Sequence, residues 1–111
     1  MISTLEKLLG TPRDGALLRY SLGLEYAKAG DQSRAVEYFR DAVEKDPGYS
    51  AAWKALGRAL EAAGRAGEAL DAYARGIEAA SRKGDRQAEK EMTVFRRRLE
   101  KAARTPGKDP R

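Results

Sequence analysis

Apolar residues recur along this chain at helical spacing and stop at glycines and prolines. Leu18, Leu22 and Tyr26 step by four, and Ala35, Phe39, Ala42 and Val43 continue the same period. Gly30 falls between the two runs, where a helix ends most cheaply on a left-handed glycine. Asp31 follows it as the expected N-cap of the next helix. Asp46-Pro47-Gly48 ends that helix, because proline disfavours helix in the residue before it. The pattern then starts again, with Gly64 as its break. It predicts helices over 12–29, 32–45, 50–63 and 66–82.

Displacing the chain by 34 residues places it on itself. Leu22 falls on Leu56, Gly23 on Gly57, Ala29 on Ala63, Gly30 on Gly64, Ala35 on Ala69 and Glu44 on Glu78. Val36, Glu37, Phe39 and Val43 fall on Leu70, Asp71, Tyr73 and Ile77. An ordered series of this kind is two copies of one helix–turn–helix unit. Gly23 and Gly57 lie mid-helix, where glycine costs about 1 kcal/mol relative to alanine. Their recurrence at one phase predicts close approach within each hairpin, with Ala35 and Ala69 expected opposite.

The first unit carries Leu22, Gly23, Tyr26, Ala35, Phe39, Ala42 and Pro47; the second carries Trp53, Leu56, Gly57, Leu60, Ala69 and Tyr73. This order resembles the tetratricopeptide repeat family. Arg19 stands at the Trp position of the first unit, and Gly76 and Ser81 replace the final Ala and Pro of the second. The resemblance covers residues 16 to 83 and implies an all-α fold, a tetratricopeptide-type α-α superhelix of antiparallel hairpins. It specifies function less sharply than fold, because one scaffold serves many partners.

Two units are fewer than the three or so a solenoid needs, so the flanks must close the stack. Residues 1–10 read as a short helical segment through Ile2, Leu5, Leu8 and Leu9. Thr11 is then the expected cap of a helix with Pro12 in its first position. The repeats occupy 12–48 and 49–83. Over 84–104, Ala88, Met92, Phe95, Leu99 and Ala102 form one apolar stripe on a helix expected from 85 to 103. Capping of the second repeat is the first reading of that helix, and a self-associating seam the second. Residues 105–111 are rich in Pro, Gly and charge and read as a disordered tail.

Composition narrows the chemistry. The chain lacks Cys and His, so the common zinc sites and the commonest general base are missing. There is no phosphate-binding glycine loop, nucleophile elbow or carboxylate pair. A non-enzyme without cofactor or metal is expected. No apolar run is long enough to span a membrane, and the first ten residues lack the charged start and apolar core of a signal peptide. A cytoplasmic protein is the expectation. The net charge of +5 is uneven: residues 82–111 carry +6 and the rest −1. Arg96, Arg97, Arg98 and Lys101 are the centre of this basic surface. Glu89, Glu91 and Glu100 are interspersed and placed to pair with neighbouring bases. A solvated face is therefore the stronger reading, and nucleic-acid binding the weaker.

The resemblance implies that the first helix of each unit lines a concave groove for an extended peptide or a helix. Carried over by phase, the groove positions are Leu17, Tyr20, Leu24 and Lys28, then Ala51, Lys54, Arg58 and Glu61. Ala88, Met92 and Phe95 would join at the rim if the last helix kept that phase. The expected function is a protein-binding scaffold or adaptor whose ligand offers an apolar side chain and a carboxylate. The rival readings are self-association as a homodimer through the open solenoid end and a basic nucleic-acid accessory. Coverage of Tyr20 and Leu24 by the N-terminal segment is left open. Some family members clamp the C-terminal carboxylate of heat-shock chaperones with Lys, Asn and Arg. The corresponding positions here hold Tyr20, Leu24, Ala55, Asp85 and Glu89, so no clamp of that type is expected.

Overall fold

In the computed structural model, which describes residues 1–104, six helices follow one another: α1 (Ile2–Glu6), α2 (Ala16–Lys28), α3 (Gln32–Lys45), α4 (Ser50–Ala62), α5 (Ala66–Lys83) and α6 (Arg86–Arg104). Helices α2–α3 and α4–α5 form the two hairpins, and α6 packs on α5. The tail expected over 105–111 lies outside the described residues. The all-α repeat architecture stands as the periodicity predicts it.

The same helix stop is used three times. Gly30 and Gly64 adopt φ of +84° and +77°, and the amides of Asp31, Arg65 and Asp85 reach back to the carbonyls of Tyr26, Leu60 and Ala80, each at 2.9 Å. That is the six-to-one bond of a left-handed helix terminus. Asp31 then caps α3 through the Arg34 amide at 3.1 Å, and Asp85 caps α6 through the Ala88 amide at 3.1 Å. Arg65, at the equivalent place before α5, has no capping side chain.

The start of the first repeat departs from expectation. Helix α2 begins at Ala16, not at Pro12. Thr11 is consumed locally: its Oγ1 accepts from the Arg13 amide at 3.2 Å and donates to the Leu8 carbonyl at 2.5 Å. Asp14 takes the Gly10 amide at 2.9 Å and the Arg19 guanidinium at 2.9 Å. These side-chain bonds hold residues 11–14 in a turn and compete with helix. Arg19, standing where the second unit has Trp53, also reaches Asp41 on α3 at 2.8 Å. An ion-pair clamp therefore replaces an indole.

The hairpin glycines approach their partner helix closely, and the groups nearest to them are the aromatic rings of Phe39 and Tyr73. A Cβ on Gly23 would lie 2.9 Å from Phe39 Cζ, and one on Gly57 would lie 2.7 Å from Tyr73 Cζ. Ala35 and Ala69 are themselves buried in the core. Gly76 makes room between units in the same way. Its absent Cβ would sit on the Met92 sulfur of α6 and 2.7 Å from Trp53 Cβ. The only buried polar residue among those described, Ser50, donates to Asp85 at 2.8 Å and ties the start of α4 to the start of α6.

Candidate functional site

Helices α2, α4 and α6 border a groove of about 440 Å³. Tyr20, Leu24 and Ala27 line it from α2, and Ala51, Lys54, Ala55, Arg58, Ala59 and Ala62 from α4. The far side is Glu91 and Phe95 of α6. Tyr20 is held in place by two rings: Phe39 at 5.9 Å and Tyr49 at 5.0 Å between centroids. No residue of the first ten lines the groove, so the N-terminal segment leaves Tyr20 and Leu24 open to it. That segment packs instead toward Tyr26, whose hydroxyl donates to Glu6 at 2.6 Å.

The two cations expected to form a basic strip are engaged differently. Lys54 Nζ lies 2.5 Å from Glu91 Oε1, which offsets its charge and holds the Glu91 carboxyl below the usual range. The Arg58 guanidinium lies 4.4 Å above the Phe95 ring centroid, a cation–π stack that orients the group without neutralising it. Among the described residues no carboxylate pairs with Arg58.

Three expected positions fall outside the groove lining. Leu17 is 68% exposed near the start of α2. Lys28 pairs with Glu25 at 3.6 Å. Glu61 accepts the Tyr73 hydroxyl, and burial together with that carboxylate pushes the phenol well up from its ordinary value. Ala88 and Met92 are buried in the core rather than set at the rim. The reason is that α6 starts 36 residues after α4, against 34 between α2 and α4, so Ala88 and Met92 stand where α4 has the buried Ala52 and Leu56. Phe95 alone of the three reaches the groove. Sequence reasoning missed Glu91, because its partner Lys54 comes near only when α6 folds back across α4.

A larger hollow of about 630 Å³ lies between α3 and α5 beside Trp53. Its arginines are already matched, Arg40 to Glu68 at 2.6 Å and Arg75 to Asp71 at 3.2 Å.

The acids of α6 meet the expected pairing in part. Glu91 turns to Lys54, and Glu100 lies 3.9 Å from Arg96. Glu89 forms no ion pair among the described residues. Arg96 is half-buried, whereas Arg97, Arg98 and Lys101 are exposed. No described helix is long and apolar enough to cross a membrane, and no described cluster of acidic side chains could hold a metal.

The tetratricopeptide repeat profile matches residues 20–84, which span both hairpins and the turn into α6. The chain belongs to the tetratricopeptide repeat family. It is 52% identical over 102 residues to a TPR repeat-containing protein of Pseudomonas aeruginosa, covering 92% of this chain and 97% of that one. A Bordetella parapertussis protein solved in solution superposes with a TM-score of 0.79 at 38% identity, over 98% of this chain and 92% of that one. The Sgt2 TPR domain from Aspergillus fumigatus superposes with a TM-score of 0.82 at 26% identity, over 99% of this chain and 72% of that one. Tetratricopeptide repeat domains generally mediate protein–protein interaction and are typically non-catalytic.

Proposed function

We propose that this protein is a non-catalytic scaffold or adaptor that holds a short segment of another protein in the groove between α2, α4 and α6. The observation that carries the reading is the pairing of an open apolar wall with one oriented cation. Tyr20, Leu24 and the alanines of α4 supply the wall, and Arg58 stacked on Phe95 supplies the charge. Leu24 is 39% exposed, and an aliphatic side chain there is removed from water only by a ligand. Because Phe95 already restricts Arg58, pairing with a carboxylate costs little further side-chain entropy. The ligand is therefore a peptide with one apolar anchor and one acidic residue beside it.

Peptide-display selection against the wild-type protein tests this, with a Leu24→Asp/Arg58→Glu variant as the counter-screen. Selected peptides should carry the apolar–acidic pair, lose binding to the variant and shift the amide resonances of α2 and α4. Peptides that bind the folded variant as well as the wild type would overturn the groove assignment.

A further inference from the structure

We propose that the groove ligand is an amphipathic helix of a partner protein, seated along a second apolar seam of α2 that runs past the groove to Leu17. This rests on the groove reading above and extends it from one apolar anchor, at Leu24, to two. Helix α2 is apolar on two faces. Leu18, Leu22, Gly23 and Tyr26 are buried. Leu17, Tyr20, Leu24 and Ala27 step by three, four and three on the other side. At the helical period these four fall within about 80° of one another, and none is buried. Leu17 is 68% and Leu24 39% exposed, two of the four large apolar side chains left in water among the described residues.

The other groove helices do not share this seam. Helix α4 begins 34 residues after α2, and α6 begins 36 after α4. At those offsets α4 has Ala51, Lys54, Arg58 and Glu61, and α6 has Gln87, Lys90, Val94 and Arg97. Of the three, α2 alone is apolar at all four positions. A lone exposed leucine is ordinary. Two on one line, with a phenol ring between them and charges at the equivalent places of both neighbours, mark a surface that a ligand covers. The chain itself offers no cover. The first ten residues pack toward Tyr26, and residues 105–111 contain no large aliphatic or aromatic side chain.

Spacing selects the occupant. Leu17 and Leu24 are about 10.5 Å apart at the rise of an α-helix. A partner helix carries same-side residues at that interval, seven positions apart, with one between them to meet Tyr20. An extended strand brings same-side residues round about every 6.8 Å, so it meets one leucine or the other. Tyr20, Leu24 and Ala27 also line the groove. A helix on the seam therefore has one flank over α4, where Arg58 receives its acidic residue. A second copy of this chain fits less well, since Lys28 and Arg58 flank its seam and would set cation against cation.

Fluorescence anisotropy with a fluorescein-labelled synthetic helix of about 18 residues tests this. The peptide carries leucines at alternating three- and four-residue steps and glutamates along one flank. A proline-interrupted peptide of the same composition is the control. The wild type should bind the helical peptide about tenfold or more tightly than the interrupted one, and circular dichroism should show the peptide's helicity rising in the complex. Leu17→Ala should weaken binding by about fivefold to tenfold. That loss should vanish when the peptide's outermost leucines are also alanine. Short one-anchor peptides selected for the groove should bind Leu17→Ala as they bind the wild type. Leu17 is exposed, and an unchanged melting curve verifies that the variant is folded. The seam is refuted if the wild type leaves the helical peptide unbound at millimolar concentration, or binds the interrupted peptide as tightly. It is equally refuted if Leu17→Ala leaves the affinity unchanged; one-anchor peptides that still bind then leave the groove reading standing alone. A wild-type dimer in sedimentation that Leu17→Ala dissociates would also overturn the proposal, by giving the seam to a second copy.

Discussion

Replacing Gly57 with alanine should destabilise the protein, although the same change in an ordinary helix stabilises it. The propensity gain is about 1 kcal/mol. Against it stands the ring of Tyr73, which is 0% exposed and would have the new Cβ 2.7 Å from its Cζ. The ring cannot swing freely, because its hydroxyl is bonded to Glu61 and its face meets Phe95 at 5.8 Å. Relief requires α4 and α5 to part or Tyr73 to leave its rotamer. Overpacking of this kind costs about 1–3 kcal/mol, and misaligning the hydroxyl bond about 1 kcal/mol more. The balance is a loss of about 2 kcal/mol, or roughly 8 °C in Tm for a domain of this size. Urea denaturation followed by circular dichroism measures it. Gly67→Ala is the control: its Cβ meets nothing within 4 Å, so it should stabilise by about 0.5–1 kcal/mol. Gly57→Ala combined with Tyr73→Leu should recover part of the loss. If Gly57→Ala stabilises as much as Gly67→Ala does, the close-approach argument is wrong.

Arg65→Ser should stabilise by about 0.5 kcal/mol, measured by urea midpoint, since it gives α5 the missing cap and sets Ser three residues before Glu68; the exposed Arg65–Glu68 pair lost at 2.8 Å is worth less. Gly30→Ala, at φ +84°, should cost about 1 kcal/mol in the same measurement. Asp14, Glu68, Asp85 and Glu91 all have carboxyl groups held below their ordinary values by hydrogen bonds and paired cations. Their contribution is complete above the unfolded carboxylate range and is lost as pH falls through the depressed values. Stability should therefore drop below about pH 4, and Asp14→Asn should flatten that limb; a limb unchanged by the substitution would assign the acid transition to other groups. Glu91→Gln should release Lys54 and tighten acidic peptides selected for the groove by severalfold, read by anisotropy, whereas neutral peptides should be unaffected.

The helical period, the glycine stops and the 34-residue displacement determined the repeats, because each is a local property: a stripe needs only 3.6-residue spacing, and a left-handed terminus needs only its glycine. The helix bounds over 32–45 were legible to the residue for that reason. The onset of α2 was not. Thr11-Pro12 looks like a helix start, and only the bonds of Thr11 and Asp14 to Leu8, Gly10 and Arg19 turn the segment to another use. The groove was legible in part. Tyr20, Leu24, Lys54 and Arg58 follow from phase, but whether each charge is available depends on what faces it. Only the tertiary structure decided that Glu91 takes Lys54, that Phe95 carries Arg58, and that α6 rolls Ala88 and Met92 into the core. These contacts join residues 37 positions apart, and their geometry is set by how far α6 rotates on α5. Side-chain volume across that interface, chiefly the Met92 thioether in the space left at Gly76, fixes that rotation.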